Sequence, residues 1–136
     1  MKKQIKSLVI TSSSTVLFFF SGYALAQVSH DFKIETVKSS KVNISGVNLL
    51  KITEGYVVNG KVSNKGRHRR LTIPGHVDIS ILDVNGKSIN TTETAIYRVN
   101  KKSRYAKFKQ TLNQTPVKGN TIRVAHHNAP LGVKSE

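Results

Sequence analysis

The 136-residue chain has no cysteine, no tryptophan, and only seven acidic residues against 22 lysines and arginines. Without cysteine there is no disulfide framework, no thiolate metal centre and no cysteine nucleophile, so stability must come from packing alone. Also missing are a G-x-S-x-G elbow and a glycine-rich phosphate loop leading into a helix. Carboxylates are scarce in the middle of the chain, where only Asp78, Asp83 and Glu93 occur. Asp83 stands just before Asn85-Gly86, where stabilising a turn accounts for it. A protein that is not an enzyme is the expectation. Beyond residue 26 no stretch of useful length repeats apolar residues at helical spacing, which excludes a helical domain.

The first 26 residues have a distinct character. Lys2, Lys3 and Lys6 precede a run from Leu8 to Phe20 that is apolar apart from a central Thr/Ser cluster, and Ala24-Leu25-Ala26 closes it in the A-x-A pattern of a cleavage site. The serines interrupt the run, and it is shorter than the roughly 20 residues a spanning helix needs. Residues 1–26 are therefore expected to be a signal peptide, and residues 27–136 a single domain, periplasmic or secreted, with no transmembrane segment after cleavage. Removal of the three lysines leaves 19 basic residues against seven acidic ones, a net charge of +12. Such an excess attracts anionic surfaces whatever the fold.

Strand patterning organises the rest of the chain. Val77, Ile79 and Ile81 alternate with His76, Asp78 and Ser80, the period of a strand with one buried face. Asn85-Gly86 predicts a type I′ hairpin turn, with a second arm from Ile89 to about Val99. A first strand is expected in His30–Lys38, and an irregular one after Val42, with Gly46 marking a bulge. Another covers Tyr56–Ser63, with Tyr56, Val58, Gly60 and Val62 on one face. Ser63–Gly75 reads as a loop with a short edge at Thr72-Ile73. Tyr105–Leu112 places Ala106, Phe108, Gln110 and Leu112 against Tyr105, Lys107, Lys109 and Thr111. Thr121–His127 is the last strand, and the tail from Asn128 is expected to fray. About seven short strands separated by turns predict an all-β, antiparallel β-sandwich with Val77, Ile79, Ile81, Phe108, Ile122 and Val124 in its core.

GHVDISILDVNGKSI, followed by RYAKF and ending in IRVAHH, resembles a type of small exported bacterial β-sandwich protein, immunoglobulin-like or fibronectin-III-like in strand count, over about Val58 to His127. The resemblance implies that architecture and a bacterial envelope setting, and carries no catalytic residue.

Two groups of residues are candidates for function. Arg67, Arg69 and Arg70 share one loop, while Lys101, Lys102, Arg104, Tyr105, Lys107 and Lys109 follow one another closely, with Tyr105, Lys107 and Lys109 on one strand face. A ring flanked by cations can lie against a sugar. The expected partner is an envelope protein, an anionic glycan or a lipid headgroup. Nucleic acid is not expected for an exported protein. The alternative is copper or zinc binding by His76 with His126 or His127, since imidazole suits both ions and no thiolate competes. Adjacent residues on a strand face opposite ways, so only one of His126 and His127 can join His76, and only if the two strand ends lie side by side.

Overall fold

The structure is a computed structural model that describes residues 27–28, 31–66 and 72–132. The expectations for residues 1–26, and for Arg67, Arg69 and Arg70, lie outside the described residues. Eight strands follow in order: β1 (Gln27–Val28), β2 (Lys33–Thr36), β3 (Val42–Ile52), β4 (Gly55–Asn64), β5 (His76–Leu82), β6 (Ser88–Ala95), β7 (Ala106–Thr111) and β8 (Thr121–His127). They form two four-stranded sheets, β1-β3-β4-β7 and β2-β8-β5-β6. This is the expected all-β sandwich, antiparallel except where β2 runs parallel to β8. Among the described residues no helix is long and apolar enough to cross a membrane.

Period-2 alternation places the core between the sheets. Val77, Ile79 and Ile81 of β5 and Ile122 and Val124 of β8 meet Val58 and Val62 of β4, Leu49 of β3 and Phe108 of β7. All six of the core residues read from the sequence are at most 1% exposed. Each strand alone would leave its apolar face in water, so burial of these faces is what holds the sheets together. Replacing Ile79 with Ala should cost about 2–5 kcal/mol. Its neighbour Ser80 faces outward, where its hydroxyl meets only the Thr91 hydroxyl at 2.9 Å. Ser80→Ala should therefore cost about 1 kcal/mol or less. Urea denaturation of both variants checks the contrast, and equal losses would invert the assigned faces.

Four details differ from the sequence expectation. The β5–β6 turn is not type I′, because Gly86 has a positive φ (81°) and Asn85 does not. Instead Gly86 N–H donates to Asp83 O at 3.0 Å and Asp83 N–H to Lys87 O at 2.9 Å, a type I turn closed by a left-handed glycine. The Asp83 carboxylate accepts from the backbone N–H groups of Asn85 and Lys87, both at 2.9 Å, and so selects this form. Secondly, the strand expected in His30–Lys38 is only β2, Lys33–Thr36, and Thr72-Ile73 forms no edge strand, although Ile73 is buried. Thirdly, β6 ends at Ala95, after which the chain crosses to the other sheet and Tyr97 bridges Lys107. Finally, the start of the tail does not fray. Ala129 and Gly132 bond to side chains on the outer face of the second sheet, His76 and Glu93. Gly46 does mark a bulge: its φ is 58° and the β3–β4 register shifts between Ser45 and Asn48.

Candidate functional site

The outer face of the sheet β1-β3-β4-β7 is cationic. Lys107 and Lys109 project from β7 on the same side as Tyr105 just before it, as the alternation requires. Directly opposite Lys107 in the register is Lys61 of β4, whose Nζ lies 4.7 Å from the centroid of the Tyr105 ring. Like charges facing each other across a ladder destabilise it, and here the Tyr105 ring offsets part of that repulsion. Arg104, Lys65, Asn43, Ser45 and Ser63 complete the walls of an open groove of about 510 Å³ around Lys61 and Tyr105. No acidic residue occurs in any of the four strands of this sheet. Lys101 and Lys102 lie apart from the groove lining, exposed at the turn Asn100–Ser103.

Acidic and histidine side chains gather instead on the other sheet. His76 begins β5 and pairs in register with His127 at the end of β8, so the two strand ends are side by side. Their rings stack with centroids 5.6 Å apart and planes 14° from parallel. His126 faces the opposite way, its Nε2 meeting Pro74 O at 2.8 Å. Of the two alternatives, His127 joins His76 and His126 does not. Asp78, two residues along the same face of β5, lies between the rings: Oδ1 is 3.0 Å from His76 Nε2 and Oδ2 3.1 Å from His127 Nε2. Glu93 sits opposite Asp78 on β6. One ligand atom each from His76, Asp78 and Glu93 falls within a span of 4.8 Å.

The tail makes this end of the sheet a built structure. His76 is 2% exposed although it lies on the outer face, because the chain after β8 folds across it. Its Nδ1 meets Ala129 O at 2.7 Å. Glu93 Oε2 accepts from Gly132 N–H at 2.9 Å. Below the cluster, Gly75 presses so closely on the His127 carbonyl that a Cβ there would overlap it.

Sequence reasoning found His76 and His127 but missed Asp78, Glu93 and Lys61 as site residues. Asp78 was legible as the next residue on the His76 face. For Glu93 the signal was the hairpin register. A two-residue loop at Asn85-Gly86 would pair Asp78 with Glu93. The actual three-residue loop moves the pairing by one, and a bulge between Leu82↔Ser88 and Ile81↔Asn90 moves it back. Lys61 needed the β4–β7 register, which no local pattern carries. Comparison with known protein families, with curated proteins and with solved structures finds no match.

Proposed function

We propose that this protein is an exported, non-enzymatic binding module of the bacterial envelope that takes an acidic glycan on the outer face of the sheet β1-β3-β4-β7. The observation that carries the reading is that Lys61, Lys107 and Lys109 share one face with Tyr105, Lys61 lying over its ring, on a sheet whose strands contain no carboxylate. A flat face of cations, amides and hydroxyls around one aromatic ring suits a carboxylated or sulfated sugar chain, which needs charge pairing and a surface for its rings. The export part of the reading rests on the basic, apolar and A-x-A segments of residues 1–26. The immunoglobulin-like label belongs to the same reading, supported by the strand count and the two packed sheets. Arg67, Arg69 and Arg70 lie between β4 and β5, and their charge would add to the attraction.

Charge at the site, rather than total charge, is what the reading requires. At physiological ionic strength screening acts over about 8 Å, so a lysine on the other sheet contributes little to a local contact. Binding of the purified protein to heparin, measured by calorimetry at that ionic strength, should weaken at least tenfold when Lys61, Lys107 and Lys109 are all changed to Gln. Changing Lys33, Lys87 and Lys118, which are exposed on or beside the other sheet, removes the same charge and should weaken it less than threefold. Equal losses would reduce the basic excess to a diffuse field and end the assignment of this face. Preference for vesicles rich in phosphatidylglycerol over heparin would redirect it to lipid headgroups. Mass spectrometry of the envelope fraction tests the export half separately, since a mass retaining residues 1–26 would contradict cleavage after Ala26.

A further inference from the structure

We infer that the His76 end of the second sheet is a divalent transition-metal site, for zinc or copper, formed by His76, Asp78 and Glu93. The argument begins with a proton. A backbone carbonyl only accepts, so the 2.7 Å contact between His76 Nδ1 and Ala129 O places the hydrogen on Nδ1. The neutral imidazole then has its lone pair on Nε2, and that nitrogen faces Asp78 Oδ1 at 3.0 Å. Two electron-rich atoms so close repel each other unless a cation or a second ring proton lies between them. Asp78 Oδ1 is buried and receives no hydrogen bond despite the short distance, so a ring proton on Nε2 would leave it an ion-pair contact without an aligned bond. A cation bound by both atoms removes the conflict.

A second observation points the same way. Asp78 and Glu93 are directly opposite each other across β5 and β6, although the whole chain has only seven carboxylates. Like charges in that position destabilise a sheet. A divalent ion turns the pair into a favourable arrangement, and the two carboxylates balance its charge.

The dimensions and chemistry fit. Zinc bonds of about 2.0–2.2 Å put tetrahedral ligand atoms about 3.4 Å apart. His76 Nε2 and Asp78 Oδ1 are 3.0 Å apart, and His76, Asp78 and Glu93 present atoms within 4.8 Å of one another. Nitrogen and carboxylate oxygen without sulfur suit Zn(II) and Cu(II), whereas magnesium and calcium favour all-oxygen sets. The partners behind the ligands have the form such sites require: a carbonyl fixes the tautomer of His76, and the Gly132 N–H orients Glu93. Because both groups belong to residues 129–132, the ion would clamp this segment to the sheet.

Calorimetric titration of the purified protein with Zn(II) and Cu(II) tests the site. One ion per chain should bind with a micromolar or lower Kd and raise Tm. Asp78→Asn preserves shape but removes the charge, and should weaken binding at least a hundredfold; His76→Ala should do the same. His126→Ala, on the other face, should change binding less than threefold. Folding of each variant is checked by circular dichroism, and the Asp78→Asn and Glu93→Gln proteins serve if His76→Ala does not fold. Millimolar or absent binding would overturn the site, as would tight binding that survives Asp78→Asn. Binding of Ca(II) or Mg(II) in place of Zn(II) and Cu(II) would overturn the ligand assignment.

Discussion

Replacing Gly75 with Ala should destabilise the protein by about 2–6 kcal/mol. Two effects combine. The φ of Gly75 is 93°, outside the range that L-residues adopt without strain, and holding a non-glycine residue there costs about 1–3 kcal/mol. In addition, the new methyl group would overlap the carbonyl of His127. That obstacle is backbone in the β5–β8 ladder, not the free end of a side chain, so relief requires the strands to part where His76 pairs with His127. Overpacking of this kind adds about 1–3 kcal/mol. Urea denaturation gives the loss directly. Metal titration of whatever fraction remains folded should also show weakened binding, since His76 and His127 flank the displaced backbone. A loss below about 1 kcal/mol would mean that the close approach is not part of the folded state.

The second large effect is expected at Phe108. Its ring is 1% exposed and lies over Gly60, the residue opposite it on β4. A Cβ on Gly60 would come within 2.5 Å of Phe108 Cζ and 2.7 Å of Cε1. The glycine is there to leave room for the ring. Phe108→Ala should cost about 3–5 kcal/mol, the transfer free energy of the ring plus the cavity it leaves. Gly60→Ala should cost about 1–3 kcal/mol by pushing the ring off its position. The two changes should not add. With the ring gone the methyl group meets only Val47 Cγ2 at 3.2 Å, so Gly60→Ala should cost much less in the Phe108→Ala background than alone. A double-mutant cycle in urea decides this, and strict additivity would separate the two residues.

Residues such as Val77, Ile79, Ile81, Ile122 and Val124 were assigned to the core from alternation alone, because a strand's faces are fixed by its backbone period and do not depend on what it packs against. The same reasoning separated His126 from His127 before their surroundings were known. Turn chemistry was partly legible. Gly86 was recognised as a left-handed position, but Asp83 closed the loop one residue earlier than a type I′ turn does, since its carboxylate bonds the N–H groups of Asn85 and Lys87. Nothing local in residues 128–132 shows that His76 and Glu93, more than 30 residues away, offer partners for their backbone.

The all-β class, the buried face of the main strands, and the side on which each histidine and lysine of a strand stands are all legible in the chain. Those properties follow from the dipeptide repeat, from β-branched side chains and from glycine at turns, all of them local. Which residues become neighbours was decided only by the tertiary structure. Lys61 meets Tyr105 and Lys107 because β4 pairs with β7, and His76 meets His127 because β5 pairs with β8. Strand pairing joins segments distant in the chain, and its register is set by the simultaneous burial of every strand's apolar face between the two sheets. Both candidate sites are consequences of that register.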